Sequence, residues 1–262
     1  MEYYASFVNL DHRQDRLQHM NYELSKAGIQ AVRERGRKPE ECDLNNPKHQ
    51  VMKNRTPGAI GCHVSQVEIM RKAKELDLHA FVMEDDLVFC SDFQKRLSYI
   101  ENFLSRNEWD VFWLGGTFHV NPPYWHRVGK SNMPPDCSAQ IGRDAELTSD
   151  PRILRTYGAF CTYAYLVNKD SIDKIQKLFD GHLHYSIGID WLFIKLQPQL
   201  KTFAFVPGCV KQMDNQSDIG NGITRFSGFS RLNGTEENSR YWFQDKMEDF
   251  DPSTFNWAEC RR

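Results

Sequence analysis

Short apolar runs of strand length alternate along this chain with apolar stripes at helical spacing. Residues 5–10 form the first run; from Asp11 onwards Leu17, Met20, Leu24 and Ala27 share one stripe, which Gly28 stops. A second helix is expected from the stretch holding Gly58 and Gly61 to about Leu76, with Ile60, Val64, Val67, Ile69 and Ala73 as apolar positions. Residues 80–89 read as a strand. Ser91 is the expected N-cap of a helix carrying Phe93, Leu97, Ile100 and Leu104. Further strands are expected over 109–116, 160–167 and 201–206, with a helix over Ile172–Phe179 closed by Gly181 and a short helix after Asp190 halted by Pro198. Strands and helices in alternation predict an α/β fold: a single domain over 1–262 with a mixed, mostly parallel sheet and helices on its faces. Such sheets bind ligands at the carboxyl ends of their strands.

Two stretches lack a period. Residues 118–157 hold paired prolines, His119, Tyr124 and Trp125, and read as a long loop that either faces an acceptor or is disordered. Residues 207–235 are polar and glycine-rich, contain Gln212, Ser217 and Asp218, and read as a mobile flap.

The charge pattern adds the chemistry. Glu84, Asp85 and Asp86 sit inside the apolar run 80–89, flanked by Val82, Met83, Leu87 and Val88. In an extended chain Glu84 and Asp86 project to one side and Asp85 to the other. Carboxylates withdrawn from water repel one another unless something positive joins them. A hard divalent cation, Mn²⁺ or Mg²⁺, takes one or two carboxylates and leaves positions for phosphate oxygens. The stretch therefore reads as a metal-diphosphate site at a strand end, with a structural ion-pair cluster as the alternative. Asn9, Arg13 and Arg16 gather where the first strand meets its helix, a place suited to a nucleotide or phosphate. His63 and Ser65 lie near the start of the second helix. Asp190 reads as a helix N-cap or as a catalytic carboxylate at a loop-helix junction.

Composition narrows the class. A net charge of -2 argues against a nucleic-acid binder. Seven cysteines without CxxC or Cys/His spacing suggest neither a disulfide framework nor a zinc site. No stretch approaches the ~20 apolar residues of a membrane span. The expectation is a cytoplasmic protein, with contact at the membrane surface left open. GxGxxG and Walker A spacings are both missing.

Several segments, in order, together resemble glycosyltransferase family 25, which includes bacterial lipooligosaccharide galactosyltransferases and collagen galactosyltransferase domains. They are Val8-Asn9-Leu10 with Arg13 and Arg16, the Gly58–Cys62 stretch with Ser65, Glu84-Asp85-Asp86, Trp109-Asp110 with Leu114-Gly115, residues 163–171, Ile189-Asp190, and Pro207 with Gln212 and Ser217. The resemblance implies a GT-A-type, Rossmann-like nucleotide-sugar-binding domain with a DxD-like metal motif. It implies transfer of a hexose, galactose or glucose, from a UDP-sugar to a hydroxyl on a glycan, lipooligosaccharide or protein, with inversion. By it, Asp86 and Glu84 hold the metal, Asn9, Arg13, Arg16, Glu84, Asp85, Gln212 and Ser217 contact the donor, and Asp190 is the catalytic base. The chain has Ser65-Gln66 where the family often has Ser-His. A glycan- or nucleotide-binding module without turnover is the competing reading.

Overall fold

The computed structural model of the chain describes residues 1–42, 57–118, 146–182, 188–213, 215–219, 223–224 and 243–252. His119, Tyr124 and Trp125 of the expected acceptor loop, and much of the expected 207–235 flap, lie outside the described residues.

Eight strands form one sheet in the order β2-β1-β3-β8-β5-β9-β7-β6. They are β1 (Tyr3–Asn9), β2 (Val32–Arg35), β3 (His79–Met83), β5 (Val111–Phe118), β6 (Glu146–Leu147), β7 (Ile153–Arg155), β8 (Ala159–Val167) and β9 (Thr202–Phe205). β1, β2 and β3 run parallel, as do β5 and β9, while β8 lies antiparallel between β3 and β5. Only β8 and β7 oppose the common direction, so the sheet is mixed and mostly parallel, as the alternation implied.

Side-chain alternation supplies two cores. Phe81 and Met83 of β3, Phe112 and Leu114 of β5, and Leu166 of β8 face one side. There they meet Met20 and Leu24 of α1 (Gln14–Ala27) and Phe93, Ile100 and Leu104 of α3 (Phe93–Leu104). Ala80, Val82, Val111, Trp113, Tyr165 and Val167 face the other side. That face is covered by α2 (Pro57–Glu75), α4 (Ile172–His182) and α5 (Ile189–Leu196), through Ile60, Ile69, Met70, Ile175, Phe179 and Phe193. Each large apolar side chain so buried contributes roughly 1.5–3 kcal/mol.

Five sequence expectations change. The stretch 118–157 is not loop throughout: β6 and β7 lie in it and close the sheet's edge by pairing with each other and, through β7, with β9. The run 80–89 is not one strand: β3 ends at Met83, the chain bends at Asp85 and Asp86, and β4 (Leu87–Phe89) pairs with β10 (Val210–Gln212) in a separate two-stranded sheet. Three adjacent carboxylates cannot all continue a ladder sandwiched between two apolar layers, so the chain leaves it. The N-cap position of α3 is Asp92, not Ser91; its carboxylate accepts the Met247 N–H at 2.6 Å and pairs with Arg96 at 2.7 Å. Helix α4 runs through Gly181 to His182. β2 carries the sequence VRER, an edge strand with no apolar alternation to announce it.

Gly115 decides where β10 runs. A Cβ there would stand 2.5 Å from the Val210 carbonyl oxygen and 2.7 Å from the Tyr163 ring. Its bareness lets the chain cross β5 closely, the Cys209 N–H bonding the Leu114 carbonyl at 2.6 Å, and carries Gln212 towards the end of β3.

Candidate active site

The three carboxylates emerge at the carboxyl end of β3, where Glu84 keeps one sheet-like bond, from its N–H to the Tyr163 carbonyl at 2.8 Å. The bend then overturns the alternation expected of an extended chain. Asp85 and Asp86 both turn to Arg16, in the first turn of α1: Nη1 lies 2.7 Å from Asp85 Oδ1 and Nη2 3.2 Å from Asp86 Oδ2. Arg16, Asp85 and Asp86 are buried, Asp86 to 2% exposure, whereas Glu84 is part-buried. The second oxygen of Asp85 accepts from Asn9 Nδ2 at 2.7 Å. Asn9 is itself held, donating to the Arg13 carbonyl at 3.1 Å and accepting from Arg33 Nε at 2.9 Å. The strand-helix junction therefore acts as a bracket for Asp85.

Glu84 faces the other way. Its Oε2 accepts from Gln212 Nε2 at 2.9 Å, and its Oε1 lies 3.4 Å from Gln66 Nε2. Both partners are neutral amides. Burial, then the charges of Asp86, Asp85 and Asp190, push the Glu84 carboxyl up to about 8, with Arg16 acting against them. Burial, Glu84 and Asp190 likewise push the Cys62 thiol well up.

These groups border a cleft of about 300 Å³. Its wall joins Val8 and Leu10 from the end of β1, residues 36–40 after β2, the first turns of α2, the three carboxylates, and Gln212 with residues 217–219. The glycines that open α2 serve the chain's own packing: a Cβ on Gly61 would lie 2.0 Å from the Arg37 carbonyl oxygen, and one on Gly58 2.7 Å from Ile219 Cα. Asp218 ties the 217–219 segment to α1 through Arg13 and through His12 at 3.2 Å. Ser217 lies in the wall, where its Oγ accepts the Ile219 N–H at 3.2 Å.

Of the residues singled out from sequence, Arg16, Glu84, Asp85, Asp86, Gln212 and Ser217 border the cleft, whereas Asn9, Arg13 and Asp190 are not among the residues that line it. Asp190 lies in the first turn of α5, whose N-cap position is Gly188; the N-cap reading of Asp190 is thereby corrected. Its charge nevertheless reaches both Glu84 and Cys62. His63 turns from the cleft and packs edge-on against Phe179, ring centroids 5.5 Å apart. Ser65 is a strut, its Oγ donating to the Gly61 carbonyl at 2.7 Å and accepting the Arg37 N–H at 2.8 Å. Asp110 is at the opposite end of the sheet, bound to Ser171, Lys174 and the Lys201 N–H at 2.6–2.9 Å. Sequence reasoning named Gln66 only as a departure from the family's Ser-His and gave it no role, and it passed over Tyr165. Gln66 stands one helical turn from Cys62, on the cleft side of α2.

Among the described residues no three His, Cys, Asp or Glu side chains converge into a cage for a metal ion. What the site offers is Glu84 and Asp86, all hard oxygen, with Asp86 already paired to Arg16 and Glu84 held by neutral amides. That donor set fits Mg²⁺ or Mn²⁺ shared with phosphate oxygens better than a cation enclosed by protein alone. Among the described residues no helix is long and apolar enough to cross a membrane.

The model of the family described as glycosyltransferase family 25 (LPS biosynthesis protein) matches residues 5–187, more than two thirds of the chain. No curated protein is significantly similar to it. The matched span holds β1, the opening of α2 and the carboxylate bend, and ends just before Asp190. The chain therefore belongs to glycosyltransferase family 25 and is a glycosyltransferase.

Proposed function

We propose that this chain transfers a hexose, galactose or glucose, from a UDP-sugar to a hydroxyl of a glycan, lipooligosaccharide or protein, with inversion and with Mn²⁺ or Mg²⁺ as cofactor. The observation carrying this reading is the crowding of three adjacent carboxylates at the cleft, of which Glu84 meets neutral amides only among the described residues. Asp86 and Glu84 would hold the metal. When bound, the metal supplies Lewis-acid neutralisation of the diphosphate as it leaves.

The chain's residues do the rest. Arg16 keeps Asp85 and Asp86 turned into the cleft, and Asn9 fixes the far oxygen of Asp85. Gln212 steadies Glu84, while Ser217 and Asp218, from the same 207–235 stretch, border the cleft over the donor. Arg13 acts through Asp218, holding that segment against α1. Asp190 accepts the acceptor hydroxyl's proton as the new bond forms at the anomeric carbon. Cytoplasmic action at the membrane surface accords with a lipid-linked acceptor.

The test is UDP release across a panel of UDP-hexoses with Mn²⁺ and then EDTA. One donor consumed only with Mn²⁺ supports the reading and identifies the sugar. Consumption untouched by EDTA contradicts the metal role, and no consumption of any donor favours a binding module without turnover.

A further inference from the structure

Gln66 is fully buried, and its two polar ends are committed to different neighbours. Its Oε1 accepts the Tyr165 hydroxyl at 2.8 Å; its Nε2 points to Glu84 Oε1 at 3.4 Å and to Cys62 Sγ at 3.3 Å. Tyr165 is fully buried in an aromatic nest, its ring 5.3 Å from those of Trp113 and Phe193. An amide can flip end for end without changing shape. Flipped, Gln66 would present a carbonyl lone pair to the Glu84 carboxylate. The Tyr165 hydroxyl, donating to Gln66 Oε1 at 2.8 Å, pins the far end of the amide, and the Glu84 carboxyl at the near end favours the Nε2-outward orientation. Gln66 and Gln212 thus grip opposite oxygens of Glu84 with neutral donors, in contrast to the guanidinium on Asp85 and Asp86. A cation at position 66 would discharge Glu84; an amide holds it and leaves its charge to be met from the cleft.

We propose that Gln66, aligned by Tyr165, is a positioning residue for Glu84: a neutral clamp that fixes the carboxylate for a cation bound in the cleft. The inference rests on the reading above that Glu84 helps hold the metal. Neither residue touches the reacting atoms, and none of this chemistry was assigned to either from sequence.

The experiment is titration of the intact chain with Mn²⁺ in the presence of UDP, followed by calorimetry, with steady-state kinetics and melting curves run in parallel. Gln66→Leu is expected to weaken Mn²⁺ by about 10- to 100-fold, the scale of lost outer-shell support for a ligand. Tyr165→Phe, which deletes one oxygen and spares the ring, should weaken it less and only while Gln66 is present. The double variant should match Gln66→Leu alone, and KM for the donor should rise more than kcat falls. Asp110→Asn is the structural control, lowering the melting temperature without moving Mn²⁺ affinity. If Gln66→Leu does not fold, Tyr165→Phe and Gln66→Asn carry the same test. Unchanged Mn²⁺ affinity in the Gln66 variants, with Glu84→Gln weakened, overturns the clamp and leaves the proposed function standing. Unchanged affinity in Glu84→Gln as well overturns both. Additive losses in the double variant overturn the alignment by Tyr165.

Discussion

Two carboxylate sites at opposite ends of the same sheet differ in how completely they are answered. At the amino end of β5, Asp110 gathers Ser171 at 2.6 Å, Lys174 at 2.9 Å and the Lys201 N–H at 2.6 Å. Burial opposes its ionisation, but those donors outweigh burial and hold it below the usual carboxylate range. At the carboxyl end of β3, Glu84, Asp85 and Asp86 crowd together with Arg16 engaged on two of them, and Glu84 is pushed up to about 8. A carboxylate met by cations contributes to folding. One met by neutral amides beside two further carboxylates, as Glu84 is among the described residues, costs stability, and it persists where a ligand brings positive charge.

Substitutions sharpen that contrast. Asp86→Asn should lower transfer by ~10³-fold, the scale of a lost charge-stabilising group, while leaving the fold as stable or more so. Equal loss of melting temperature and activity would erase the contrast. Asp110→Ala should cost about 3 kcal/mol in chemical denaturation, the scale of a broken buried pair, and leave KM for the donor unchanged. Asp190→Asn should lower kcat by ~10²-fold with UDP binding intact, read by single-turnover kinetics. Wild-type turnover there would return Asp190 to a structural role.

The pH response gives a smaller signal with a definite sign. In the folded, metal-free chain Glu84 titrates near 8, above its ordinary 4.5, so the folded state holds that proton more tightly than the unfolded chain. Its contribution to stability is complete below 4.5 and is lost as pH rises through about 8. Melting curves across that window should fall for the wild type and flatten for Glu84→Gln; a flat wild-type profile contradicts the assignment. The smallest effect belongs to Asp218→Asn. Loss of a surface pair is worth ~0.2–1 kcal/mol, so donor KM should rise only a few-fold.

Much of this was legible in sequence because the two cores write strong periods. The stripes of α1, α2 and α3 and the apolar strands β3, β5 and β8 need no tertiary information. β2 was not legible, since VRER at a sheet edge has neither period. The break after Met83 was hidden too: Leu87 and Phe89 are apolar because β4 packs into the same core from another sheet. In the site, residue types pointed to Glu84–Asp86 and Arg16, but the geometry divided them differently from a regular strand. Gln66 was visible only as a departure from the family's Ser-His, with no role, because an isolated buried amide has no motif; Tyr165, 99 positions away, gives it meaning.

The proposed reaction requires the carboxylate cleft to bind a nucleoside diphosphate through a divalent metal. Calorimetric titration of UDP into the wild type and Asp86→Asn, each with Mn²⁺ and with EDTA, tests this. Binding by the wild type with Mn²⁺, abolished by EDTA and by the substitution, is the predicted result. UDP binding indifferent to both would contradict the claim.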